Sequence, residues 1–462
     1  MTRAQGQKGQ EKFERKIIAK DLEDPWNIIY GPDGHLWVTE SKTYKVLRIN
    51  PSNGKISTLI DLSSEKDFPR DGDGTWPQGG LMGMALHPDF LDGIPFVYLA
   101  YVHQYLGSYG EDAPQQQQGS YFKTKIVRYS YDEESQILSS PMVIIDSIPG
   151  SNDHNGGRLI IAKVEGQDFL FYSVGDMGAG QFNNGGRINH SQEVTIYEGK
   201  ILRFHLEPTE INGPILDWIP DDNPFNAEIK SAVWSLGLRN TQGLATVEID
   251  GEEIIYSSDH GPFSDDEINI IIKGGNYGHP LVVGYAEGNY NGLAAAVSDR
   301  EELPGYWNTS LPLIESEEKN ARKLINYQDP IFSFFPSSNS YLREVAEQQR
   351  RGESAEWDAV AHSGIAAYTF DAIPGWKNSL LVSSLKNGCI YRLKLSENGD
   401  RVIESKEYFA AKVRYRDIAV SADGLKIYAV TDKSFVTSGP TEEDPQVTEL
   451  RGAIIEFSFE KE

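Results

Sequence analysis

Six times along the chain, a turn bearing Asp or Gly runs into a short apolar strand ending in small polar residues. No other feature constrains the fold as strongly. The copies are PDGHLWVTES from Pro32, GIPFVYLAYV from Gly93, EGQDFLFYSVGD from Glu165, DGEEIIYSSDHGP from Asp250, GWKNSLLVSSLKNG from Gly375 and ADGLKIYAVTD from Ala422. A second strand follows each: KVLRIN from Lys45, KIVRYSY from Lys125, GKILRFHL from Gly199, EINIIIKGG from Glu267, GCIYRLKL from Gly388 and GAIIEFSF from Gly452. Short alternating apolar runs bounded by Gly, Pro and Asp are strand signals. Repetition of one two-strand unit predicts an all-β, six-bladed β-propeller with long inter-strand loops, whose ring protects strand edges and leaves a central channel. A double β-sandwich is also strand-rich, but gives no reason for six copies of one unit.

The 462 residues divide into roughly 77 per unit, against ~40–50 for small propeller blades. The excess is expected in the connections 104–121, 207–230 and 286–357, and long loops on a rigid scaffold are where binding and catalysis concentrate. The strand KIIAKD near the N-terminus is expected to close the last blade beside the C-terminal strand. Residues 1–14 are then a flexible tail, and 15–462 a single propeller domain. Only 342–355, polar and rich in Glu, Gln and Arg, reads as a helix, on the surface of a loop insertion.

Charge and cysteine content narrow the function. With 43 Lys and Arg against 68 Asp and Glu the net charge is −25, which argues against nucleic acid or an anionic membrane as partner. A single cysteine, Cys389, excludes an intramolecular disulfide, a Cys-based zinc site and c-type haem attachment. No apolar run approaches the ~18 residues of a membrane span. The polar opening stretch carries no signal-peptide core, which leaves a cytoplasmic protein or one whose leader has been removed.

Three clusters carry chemistry. In SNDHNGGRL, from Ser151, Asp153 and His154 precede a Gly-Gly turn, and a histidine on such a loop can act as a base near neutral pH. A capped turn with a surface histidine is the plainer reading. In DHGPFSDDEINIIIKGGNYGHP, from Asp259, a Gly-Pro turn frees carbonyls beside Asp265, Asp266 and Glu267, the hard oxygen ligands calcium prefers. A solvated acidic turn is the alternative. The third cluster combines Lys386 with Arg414 and Arg416, which share one face of a strand and can grip one anion, most plausibly a polycarboxylate. Pairing with the surplus acids explains them equally well. GDMGAG from Gly175 lacks the following helix of a nucleotide loop, and Walker, GxSxG and HExxH patterns are absent.

In this order the clusters resemble the soluble PQQ-dependent glucose dehydrogenases and the wider glucose/sorbosone dehydrogenase family. The resemblance runs from Leu36 to Gly424 through LWVTESKTYKVLRIN, PQGGLMGMALHPDF, SNDHNGGRLIIA, FYSVGDMG, WSLGLRNTQGLA, GWKNSLLVSSLKNGCIYRLKL and RYRDIAVSADG. It implies a six-bladed propeller that oxidises aldose sugars at C1, passing a hydride to PQQ (pyrroloquinoline quinone) and electrons to a separate acceptor. By motif, His154 is similar to the family's general base, Asp153 to a sugar contact, and Gln78 and Arg239 to substrate and cofactor contacts. Lys386, Arg414 and Arg416 match the groups that hold the PQQ carboxylates. The carbonyls of Gly261 and Pro262 match ligands of the calcium on the quinone, and Glu267, Tyr277, Val283 and Tyr285 imply a second, structural calcium. Trp357, in EWDAVAHSGIAAY, stands where the family has an aromatic lid, while the family's hydroxyl near PQQ has no counterpart. A periplasmic or secreted location and a homodimer are further expectations of the resemblance. The alternatives are a calcium-dependent propeller lactonase, which has no use for the cationic trio, and a binding propeller without catalysis.

Overall fold

The computed structural model describes residues 7–9, 11–68, 76–109, 119–181, 184–211, 215–296, 309–351, 353, 357–433 and 450–460. Within these, six sheets, each with four antiparallel strands and the fifth extended by a short parallel strand, follow one another along the chain: 25–61, 81–151, 159–236, 241–334, 362–408, and 415–459 completed by Phe13–Ala19. The first strands of successive sheets touch in a closed circuit, the sixth returning to the first. The fold is a six-bladed β-propeller, as the repeats predict. The repeated motif is the second strand of each blade, and its follower is the third.

Each of the six gaps between blades has its own apolar core. Leu36, Val38 and Leu47 of blade 1 meet Tyr428, Val430 and Ile454 of blade 6, and Leu170, Tyr172 and Leu202 of blade 3 meet Tyr98 and Ile126 of blade 2. Strands buried on both faces therefore read as continuous apolar runs: Leu36–Glu40 and Ser379–Ser384 are buried throughout. The fourth strand of blade 5, Val402–Tyr408, is only half-buried and polar.

The ring closes as expected: Phe13–Ala19 pairs antiparallel with Ile454–Phe459, Phe13 opposite Phe459 and Ala19 opposite Ile454. Residues 7–9 and 11–14, expected in a free tail, are instead docked. Gln7 and Lys8 pair in parallel with Lys406 and Glu407, and Glu11 accepts hydrogen bonds from Tyr408 (2.7 Å) and Trp376 (3.2 Å).

The long connections also differ from expectation. Of 104–121, residues 104–109 and 119–121 extend a hairpin, strands Phe96–Tyr109 and Gly119–Asp132 pairing as far as Tyr109 opposite Gly119 with two register shifts, and 110–118 lie outside the described residues. The 207–230 connection carries a small hairpin, Thr209–Ile211 with Ile215–Asp217. Among the described residues of 286–357 are two helices: α1 (Glu317–Lys323), which the sequence reading missed, and α2 (Asn339–Arg350), three residues earlier than expected. Part of the expected C-terminal end, at 352, 354 and 355, lies outside the described residues. The second helix is more than surface: Leu342, Val345 and Ala346 bury against Phe263, Tyr290, Leu293 and Ile314.

Candidate active site

In an antiparallel blade, the chain enters the first strand and leaves the second at the same end. At that end of the ring lies a cavity of about 430 Å³ over the channel, lined by Gln78, Asp153, His154, Arg239, Gly261, Pro262, Trp357, Arg414 and Arg416 among others. Sites of this size suit cofactors and small molecules. The blades are tied across the ring: Asp417 of blade 6 accepts from Arg158 (2.7 Å) and Asn27 (2.7 Å) of other blades.

His154 sits past the last strand of blade 2, in the left-handed region at φ 52°. Backbone strain of this kind persists only where the surroundings fix it. Its Nδ1 lies 2.7 Å from Asp176 Oδ1, and its Nε2 lies 2.9 Å from Gln181 Nε2. Asp176 is fully buried and lies 2.8 Å from His279 Nε2. Burial alone would raise this carboxyl, but His154 and His279 beside it overcome that and hold it well below the usual carboxylate range. Asp153 Oδ1 accepts from Gln78 Nε2 at 3.0 Å. Arg239 donates to Gly261 O (3.1 Å) and to Gln181. Burial, then His362, His154 and Arg239 nearby, push the His260 imidazole far below its ordinary value.

Asp176 and Gln181 were missed by the sequence reading, although both lie in the stretch that opens with GDMGAG. The signal was an Asp immediately after a strand, among glycines that allow tight turns. A Cβ at Gly178 would fall 2.8 Å from that of Asp153.

Arg414 and Arg416 converge, but the anion between them belongs to the protein. Arg416 grips Asp432 through Nε (2.8 Å) and Nη2 (2.7 Å), and Arg414 adds a contact at 3.2 Å. The carboxyl of Asp432 would be raised by burial, yet the two guanidiniums keep it low. Lys386, expected in the same clamp, does not line the cavity; its ammonium donates to Trp357 O and lies 5.1 Å from the Trp357 ring centroid. Even so, the lining holds four cations (Lys42, Arg239, Arg414, Arg416) against four aspartates. In a chain of net charge −25, a lining of balanced charge is far less acidic than the whole, and its three guanidiniums suit a polycarboxylate such as PQQ. Trp357 lines the cavity edge-on to Phe263, next to Ala359 and Ala361, so this wall is apolar where a hydroxyl was sought.

The two expected calcium sets differ. Gly261 and Pro262 line the cavity, and Asp266 beside them commits its oxygens to N–H groups of Gly261, Val360 and Ala361. The protein therefore offers two neutral carbonyl oxygens there, short of the six to eight calcium takes. They fit an ion whose remaining ligands come from the cofactor and water. The second set is bonded to protein partners. Glu267 accepts from Gly284 N and Asn269, Tyr277 hydroxyl bridges Ile270 O and Ile272 N, and Tyr285 O accepts from Glu287 N. Glu267, Tyr277 and Val283 line one small space together with Asp259, and no group of three or more His, Cys, Asp or Glu suited to a metal occurs among the described residues.

The glucose / sorbosone dehydrogenase family model matches residues 22–318 and 339–437. Quinoprotein glucose dehydrogenase B of Acinetobacter calcoaceticus is 32% identical over 97% of this chain and 91% of its own. Aldose sugar dehydrogenase YliI of Escherichia coli is 26% identical over 91% of this chain and 90% of its own. The PQQ-bound aldose sugar dehydrogenase of Streptomyces coelicolor superposes with TM-score 0.60 at 23% identity, covering 97% of this chain and 99% of that one. Fold, site and sequence agree: the chain belongs to the glucose/sorbosone dehydrogenase family.

Proposed function

We propose that the protein is a PQQ- and calcium-dependent dehydrogenase that oxidises aldose sugars at C1 to the lactone. The observation that carries this reading is the His154–Asp176 pair at 2.7 Å, facing a cavity whose opposite wall holds Arg414 and Arg416. Arg414, Arg416 and Arg239 would hold the PQQ carboxylates and ring, with the Gly261 and Pro262 carbonyls holding calcium. When bound, PQQ supplies the hydride acceptor and calcium a Lewis acid.

The chain's own residues do the rest. Gln78 and Asp153, bonded to each other, present an amide and a carboxylate that orient the sugar hydroxyls. His154 takes the proton of the anomeric hydroxyl at Nε2, and buried Asp176 stabilises the imidazolium that forms. The Arg239 guanidinium is fixed by Gly261 O and Gln181, ready to face negative charge developing at the reacting centre. Trp357 and the alanines beside it exclude water from that wall.

An external electron acceptor and an extracytoplasmic location belong to this reading. A lactonase reading gains no support, since the Asp266 carboxylate beside the Gly261 and Pro262 turn is committed to backbone donors. A binding-only reading leaves the His154–Asp176 pair without a purpose. The test is a titration of purified protein with PQQ, with and without calcium, followed by aldose-dependent dye reduction. Binding that needs calcium, with turnover of aldoses, supports the reading; no binding in either condition refutes it.

A further inference from the structure

Gln181 joins three groups of the site. Its amide oxygen accepts from Arg239 Nη2, and its nitrogen lies 2.7 Å from Asp153 Oδ2 and 2.9 Å from His154 Nε2. A guanidinium only donates and an ionised carboxylate only accepts. These two neighbours therefore fix the orientation of the amide without reference to His154. The NH2 group then faces Nε2, which must present its lone pair, so the proton of the neutral ring sits on Nδ1 against Asp176. Nε2 has one in-plane lone pair and cannot accept from Gln181 and from a sugar hydroxyl at once.

We propose that Gln181 is a positioning residue that keeps His154 in its proton-accepting tautomer while the site is free, and that the substrate hydroxyl takes the place of the Gln181 amide on Nε2. The proposal rests on reading His154 as the base. It deepens that reading, because it names what prepares the base and what the substrate displaces. The charged and titratable groups around the ring are Asp153 beside it, Asp176 beneath it with His279 beyond, Arg239 across Gln181, and His260. The two aspartates favour the imidazolium. The hydrogen bond from Gln181 to Nε2 can be accepted only by the neutral ring, so removing Gln181 removes a contact that favours the unprotonated form.

The test is the imidazole nitrogen spectrum of the full chain, labelled with nitrogen-15 and free of sugar, with His154→Ala to assign the signals. In the wild type at neutral pH, His154 should carry its proton on Nδ1 and show a hydrogen-bonded, unprotonated Nε2. In Gln181→Met, similar in length and without a donor, the Nε2 signal should move toward that of a free lone pair. The midpoint of ring protonation should rise by about half to one pH unit, the size of one neutral hydrogen bond. The acid limb of kcat/KM should move with it. Gln181→Glu, which turns a carboxylate onto Nε2, should hold the imidazolium to higher pH still and serves if the Met variant does not fold. A protonated Nε2 in the wild type, or an Nε2 signal indifferent to both substitutions, overturns the proposal. Undiminished aldose oxidation by His154→Ala overturns the base reading instead, and leaves the tautomer result standing.

Discussion

Replacing Asp176 by Asn keeps the size of a fully buried side chain and removes the charge on which two histidines converge. Asp176 Oδ1 takes His154 Nδ1 at 2.7 Å and the Gly178 N–H at 2.9 Å, while Oδ2 takes His279 Nε2 at 2.8 Å. An amide can accept on one side only. If its NH2 faces His154, the ring must carry its proton on Nε2 and can no longer act as a base. If its oxygen faces His154, the tautomer survives but the imidazolium loses its counter-charge. Opposite charges about 4 Å apart interact by roughly 4 kcal/mol at an effective dielectric of 20, or about three orders of magnitude in rate. Losing a general base costs roughly 10²–10⁴-fold, so both routes lead to the same range. Asp176 does not line the cavity, so PQQ affinity should stay within about threefold of wild type. The assay is dye reduction at saturating PQQ and calcium, beside a PQQ titration. A fall in kcat below tenfold, with unchanged cofactor affinity, refutes the assignment of Asp176 to His154.

Arg416→Ala removes a two-point grip on buried Asp432; breaking such a pair costs about 3–5 kcal/mol, so the melting midpoint should fall along with a roughly ten- to hundredfold loss of PQQ affinity. Adding Asp432→Ala should restore much of the midpoint and none of the affinity, and equal PQQ titrations across these variants refute the clamp. Because the protein offers calcium two neutral carbonyls, calcium alone should barely move the midpoint, whereas calcium with PQQ at a hundredfold over Kd should add about 2.7 kcal/mol. A full shift with calcium alone, or a chelator that leaves PQQ bound, contradicts this. Burial pushes Asp265 up to about 6 and Glu317 up to about 7, above the values of an unfolded chain. The folded form then holds protons that the unfolded form releases, so these groups lower stability as pH rises from about 4 to about 7. A midpoint in chelator that rises over this range, or one whose fall Glu317→Gln leaves unchanged, counts against it.

The legible part of the fold was the middle of each blade. Second and third strands are packed on both faces, so FLFYSV and KILRFH stand out as apolar runs. First strands such as LMGMAL and HSGIAAY contain glycine because blades approach closely at the channel: a Cβ at Gly83 would fall 2.4 Å from Gly157 O, and one at Gly364 2.0 Å from Asp417 Oδ1. Fourth strands such as VIESKEY face solvent and look like loops. The closure by Phe13–Ala19 was legible because an apolar run at one end needs a partner at the other. Within the site, His154 and the arginines stood out as residue types, but Asp432 and Asp176 did not. A single Asp among 68 acidic residues shows its importance only when burial strips it of water and leaves it facing named cations. Lys386 shows the reverse. Its motif matched, yet the side chain lies against Trp357.

The most direct test of the account is anaerobic addition of an aldose to protein loaded with PQQ and calcium, without dye, while the spectrum of the bound quinone is followed. The wild type should show full reduction of the quinone by the sugar. His154→Ala should bind PQQ equally well and be reduced at least about a hundredfold more slowly. A bound quinone whose spectrum aldoses leave unchanged in the wild type contradicts the central claim, as does equally fast reduction in His154→Ala.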